Sequence, residues 1–389
     1  MKLTGLKVID LSAFLPGPHL TMMMADQGAD VVMVEPANGV GEPTREIGWR
    51  HADGVSVWFR NIARGKRSLK LNLKDSDGRK LLHALVESAD VVVEAFRPGV
   101  AARLGADYAT LSDINPRLVY CSISAFGQDG EYAQKPAHDL TVQALAGLVD
   151  LNRGLEDQKP ASPNMPVADM AASLMALSAI LMALYRRCET GEGDFIDMAM
   201  YDAALAWTPN VTGPVFAEDA HPPVKDMRSF GGAGMYHVYE TRDQKHLVLG
   251  GSEVKFATNL LTALGREDLI AQAKAEPGPA QAGLRAFLKE TFASESLAHW
   301  EAFLGALDVC WAPVRTLKDA FDDPHTRGRG LVFEDTKGAR HIGSPIHFAR
   351  EPGAPNPSVP EFGEHSEALA LEAGFDPQTV RAMKARGVI

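Results

Sequence analysis

The chain has 389 residues, 46% of them apolar and 23% charged, ordinary values for a folded protein with room for one elaborate domain or two smaller ones. A formal net charge of -11 argues against a main role on nucleic acid or an anionic membrane, since either calls for a basic face. Three dispersed cysteines, Cys121, Cys188 and Cys310, exclude a disulfide framework and a cysteine zinc site and fit a reducing cytoplasm.

The sequence enters a strand-like run at once, so no signal peptide is expected. Residues 6–11 (LKVIDL) read as a buried strand, 18–27 as a helix, and 29–35 (ADVVMVE) as a second strand. Residues 61–70 (NIARGKRSLK) read as a basic loop. A helix over 76–89 precedes a third strand at 90–94, and 118–124 (LVYCSIS) is a fourth. After Asp139 comes a long helical region, interrupted by Gly, Pro and Asn over 154–166. Its most apolar part, 170–185, is too short to span a membrane and reads as a buried helix; 195–200 is a further strand.

Strands separated by helices of this length predict parallel βαβ units, an α/β doubly wound, Rossmann-like large domain over residues 1–205. A Pro- and Gly-rich linker is expected at 206–230, and a smaller α+β domain at 231–325 with strands at 236–240 and 246–250. A second linker at 326–360 precedes a C-terminal helical segment, 361–389.

Several residues invite chemistry. The turn after the first strand, Phe14-Leu15-Pro16-Gly17-Pro18, lacks the glycines that let a dinucleotide pyrophosphate approach, although Glu35 ends the second strand where a ribose-binding acid would sit. Arg64, Lys66, Arg67 and Lys70 could grip phosphates or simply form a solvated basic loop. His138 and Asp139 open a helix after a Gly/Pro loop, and Asp169 starts a very apolar one. Each acid reads as a cap, with a carboxylate nucleophile or an acid-base pair as the functional alternative. Glu253 follows a strand of the small domain, and Gly231, Gly232 and Gly234 form a flexible stretch able to approach or cover a ligand. No metal site is expected.

Taken together, LKVIDLSAFLPGPHLTMMMADQGADVVMVEP, NIARGKRSLKLNLK, ADVVVEAFRPGVAARLG, ISAFGQDG, AHDLTVQALAGL and VADMAASLMALSAILMALYRRCETGEGDFID resemble the class III CoA-transferase (CaiB/BaiF) family, as do GSPIHF and GEHSEALA near the end. The resemblance implies an interlocked homodimer whose large domain joins the N-terminal half to the C-terminal tail, with acyl-CoA and a small carboxylic acid as substrates and no tightly bound cofactor. It implies transfer of CoA through a covalent intermediate on Asp139. It places CoA on Arg64, Lys66, Arg67, Arg97, Arg103, Phe126 and Gly127, with Gly231, Gly232 and Gly234 in an active-site loop. The same family contains 2-methylacyl-CoA racemases, whose two bases would fall on His138 and Asp169 with Glu253 assisting. A CoA-binding protein without catalysis is the remote third reading.

Overall fold

The computed structural model describes residues 1–154 and 159–389 of the chain. Part of the break expected at 154–166, namely residues 155–158, lies outside the described residues.

Six short runs of Val, Ile and Leu form one sheet: β1 (Lys7–Asp10), β2 (Asp30–Pro36), β3 (Arg67–Leu71), β4 (Val91–Glu94), β5 (Val119–Ser124) and β6 (Asp194–Ala199). Every neighbouring pair is parallel, in the order β3-β2-β1-β4-β5-β6. Strands covered on both faces are mostly apolar, and β4 and β5 are buried at every position, with Glu94, Ser122 and Ser124 as their polar members. Strand order reverses between β1 and β4, so a crevice opens beyond their carboxyl ends, the position at which doubly wound sheets bind ligands.

β3 corrects the basic-loop expectation. Arg67 and Lys70 sit among buried Ser68, Leu69 and Leu71, so the cations mark a pleated strand rather than a solvated loop.

Two compact units divide the chain. The first holds the six-stranded sheet and comprises Met1–Ala146, Asn164–Trp207 and Pro324–Ile389. Its core joins Ile9, Val34, Leu69, Leu81 and Val92 to Leu369, Val380, Met383 and Ile389 from the tail. The tail itself is two helices, Ser366–Glu372 and Pro377–Ala385. The second unit comprises Gly147–Pro163 and Thr208–Asp323. It carries the antiparallel strands β7 (Tyr236–Glu240), β8 (His246–Gly250) and β9 (Trp311–Pro313), closed over Leu260, Leu284, Leu288, Phe292 and Trp300. Residues 326–360, expected as linker, include the hairpin β10 (Val332–Glu334) and β11 (Arg340–Ile342).

The Val167–Thr190 helix is longer than its apolar sequence core suggested, long and apolar enough to cross a membrane by length and composition. One face, Ala168, Ala171, Ala172, Ala176 and Ile180, is buried, and the helix packs against β5 and β6 within the first unit.

Candidate functional site

Two cavities of the first unit open beyond the carboxyl ends of its parallel strands. One, of about 530 Å³, is lined by Leu11, Ser12 and Ala13 after β1, by Glu35 and Pro36 of β2, and by Asn72 and Lys74 after β3. The other, of about 550 Å³, is lined by Phe14, Trp58, Arg97, Lys135, His138, Asp139 and Asp169. Ala13 and Phe96 line both cavities.

Asp139 and Asp169 arrive in the second cavity from the N-terminal ends of two packed helices, Asp139–Leu145 and Val167–Thr190. Pro166 leaves the longer helix without a side-chain cap of its own. Asp139 supplies one from a distance: its Oδ1 accepts the Ala168 N–H at 2.9 Å and the Asp169 N–H at 3.1 Å. Its Oδ2 accepts Gln143 Nε2 at 2.6 Å, and that amide also donates to the Met165 carbonyl at 3.0 Å. Both Asp139 oxygens are thus engaged by three donors. The Asp139 carboxylate, expected to carry covalent chemistry, is placed as the cap of the Val167–Thr190 helix.

Asp169 differs. Its backbone is held by Asp139, yet no donor among the described residues reaches its carboxylate. Burial, reinforced by the adjacent Asp139 charge, pushes its pKa up to about 7. The cavity thus holds one spent carboxylate and one desolvated, uncommitted carboxylate poised near neutrality. His138, exposed in the same cavity, meets the Phe14 ring edge-on, with centroids 5.7 Å apart and an interplanar angle of 82°.

The basic cluster is placed elsewhere. Lys66 is fully buried, donating to Asp10 Oδ2 at 3.0 Å, the Pro18 carbonyl at 2.8 Å and Thr21 Oγ1 at 2.8 Å. Arg64 is buried against both oxygens of Asp26. Arg67 is tied to Asp30 and Glu372. All three, expected on CoA phosphate, are placed in ion pairs with carboxylates of the chain, although Arg64 Nη1 has no partner among the described residues. Glu35 is likewise occupied, accepting from Nε and Nη2 of Arg45 and from Ser68 Oγ.

Of the other residues expected at the site, Arg97 is exposed and lines the second cavity. Arg103 is exposed on the short Val100–Leu104 helix. Phe126 packs against Tyr132 and Tyr201, while Gly127 makes a turn at φ +87, its N–H donating to Ser124 Oγ. Glu253 is exposed in the second unit at the start of the Val254–Ala263 helix. Gly232 and Gly234 are buried in that unit: a Cβ on Gly232 would stand 2.1 Å from the Asp226 carbonyl oxygen, and one on Gly234 2.9 Å from Leu284. Close packing, rather than flexibility, explains these two glycines; Gly231 alone adopts a positive φ, +107. Sequence reading missed Lys74, Lys135 and Trp58, which carry no local pattern to separate them from surface residues.

The family model for CoA-transferase family III matches residues 3–366. The chain is 35% identical to succinyl-CoA:mesaconate CoA-transferase of Haloarcula marismortui, over 97% of this chain and 98% of that protein. It is 30% identical to mouse alpha-methylacyl-CoA racemase, over 98% of this chain and 95% of the racemase. The crystal structure of a CAIB/BAIF family protein from Brucella suis superposes with a TM-score of 0.83 at 30% identity, covering 95% of this chain and 99% of that one.

Proposed function

This chain belongs to CoA-transferase family III, and from that premise we propose that it moves coenzyme A from an acyl-CoA to a free carboxylic acid through a covalent intermediate on Asp169. The observation carrying this reading is the contrast between the two carboxylates. Asp139 is consumed by three donors, whereas Asp169 is desolvated, without a donor among the described residues, and faces the cavity. Relatives include succinyl-CoA:mesaconate CoA-transferase and acetyl-CoA:oxalate CoA-transferase, whose names pair acyl-CoA donors with carboxylic acids.

In this mechanism an Asp169 oxygen attacks the donor thioester carbonyl. The C–S bond breaks, leaving a mixed anhydride and CoA thiolate. The thiolate then attacks the aspartyl carbonyl, expels the donor acid and forms an aspartyl-CoA thioester. The acceptor carboxylate opens that thioester, and returning thiolate attacks the acceptor's acyl carbon to release Asp169. Each step exchanges one acyl bond for another, so no redox partner is needed. Burial favours the reaction because a poorly solvated carboxylate is the more reactive nucleophile once ionised.

Both cavities contribute to the CoA site in this proposal. Lys74 at the first and Arg97 and Lys135 at the second are exposed cations able to meet phosphate, with Arg103 nearby in sequence. A homodimer belongs to the same reading, supported by exposed Leu174, Leu181, Met182 and Tyr185 on the outer side of the Val167–Thr190 helix.

A second reading has one specific support: His138 and Asp169 line the same cavity, an imidazole and a carboxylate able to serve as the two bases of 2-methylacyl-CoA racemisation. Trapping with hydroxylamine, followed by mass spectrometry, separates the two. Transfer predicts an adduct on Asp169 in the presence of acyl-CoA. Exchange of the C2 proton with deuterated water, with no adduct anywhere, would overturn transfer in favour of racemisation.

A further inference from the structure

Phe14 has an unusual backbone. It sits at φ +66, in the left-handed region that large side chains seldom enter, between β1 and the Pro16–Asp26 helix. Strain of this kind persists only where surrounding groups enforce it. Here the enforcing group is Glu42, buried, whose Oε1 accepts the Phe14 N–H at 3.1 Å along with Thr44 N at 3.2 Å and Thr44 Oγ1 at 3.1 Å. Glu42 is itself fixed, since its own N–H donates to Glu35 Oε2 at 2.8 Å. Glu35 is clamped by Arg45, and Arg45 stacks on Phe59 with its guanidinium carbon 4.0 Å from the ring centroid. Gly41 lets this turn close, because a Cβ there would lie 2.4 Å from Glu35 Oε2. The far end of the chain of contacts is the Phe14 ring, edge-on to His138.

We propose that Glu42 is a positioning residue for the candidate site: by holding Phe14 in the left-handed conformation, it presents the ring that fixes the orientation of the His138 imidazole in the cavity. Neither Glu42 nor Glu35 touches His138; the influence passes through the backbone N–H of Phe14. The inference rests on the proposed function only in taking the His138 cavity as the reaction site.

The test reads His138 directly. Edge-on contact with an aromatic ring displaces the imidazole NMR resonances, which a His138→Gln variant assigns. Phe14→Asn, which tolerates the same backbone region, removes the ring and should abolish that displacement. Glu42→Ala should abolish it equally, and Glu42→Gln, which keeps the acceptor oxygen, should restore it. Glu42→Asp, one methylene short of Phe14, is the reserve if the alanine variant does not fold. Turnover should fall about tenfold in Glu42→Ala with little change in KM, and the double variant Glu42→Ala/Phe14→Asn should be no slower than Phe14→Asn alone. Unmoved His138 resonances in Glu42→Ala or Glu42→Asp, or additive losses in the double variant, would overturn the proposal. Failure of the transferase reading would show instead as absent acyl transfer and no Asp169 adduct, with the resonance shifts unaffected.

Discussion

The Asp139 carboxylate caps the very helix turn from which Asp169 projects, accepting the Asp169 backbone N–H at 3.1 Å, and its charge adds to the burial that raises that residue's carboxyl pKa to about 7. One residue thus both holds the other in place and adds to the burial that raises its proton affinity.

The pH dependence of turnover follows from this pair. Asp169 must be ionised to attack, so kcat/KM should rise with pH through an apparent pKa of about 7. Burial is the larger cause and the Asp139 charge the second, so Asp139→Asn should move the rising limb to lower pH without removing it. For stability the sign is opposite to that of an ordinary ion-paired carboxylate. A folded pKa above the reference 3.8 means the folded state holds the proton more tightly, so stability is greatest at low pH and is lost as pH rises through about 7. Urea midpoints of Asp169→Asn should lack that loss relative to the parent; an identical pH slope in both would contradict the assignment.

Substitutions at the site separate the two reactions. Under transfer, Asp169→Ala abolishes acyl exchange and the trapped adduct, while His138→Ala only slows turnover. Under racemisation, His138→Ala and Asp169→Asn each stop C2 deuterium incorporation. Mass spectrometry and deuterium wash-in on the same preparations give the answer.

Lys66 is expected to matter for folding rather than for ligand. Lys66→Met leaves the Asp10 carboxylate buried without its cation and should cost about 3–5 kcal/mol in urea unfolding. CoA affinity of the folded variant should stay within about twofold, whereas Arg97→Ala or Lys135→Ala should weaken CoA by roughly tenfold or more, in line with about 1.5–3 kcal/mol for a charge-assisted contact. Calorimetry that finds the reverse order would return phosphate binding to the basic cluster.

Gly232→Ala tests the packing explanation in the second unit. The added Cβ would meet backbone, Asp226 O at 2.1 Å, which has no flexible end to yield. The expected loss is about 1–3 kcal/mol, detectable as an earlier thermal transition. A variant as stable as the parent would mean the segment is looser than its contacts imply.

Much of this protein was written locally. The runs KVID, VVMVE, VVVE and VYCSIS are too apolar for anything but strands buried on both faces, and the helices between them force parallel order, so the doubly wound sheet followed from the residues themselves. His138, Asp139 and Asp169 could be picked out as well, because acids at the starts of apolar helices are conspicuous. What each does could not be picked out. Asp139 caps a helix whose first turn lies 29 residues downstream, and Lys66 pairs with Asp10, 56 positions away. A carboxylate that is hydrogen-bonded and one that is desolvated look alike in sequence; the neighbours that distinguish them are brought together only by tertiary packing, and it is those neighbours, through desolvation and hydrogen bonding, that decide which acid is free to react.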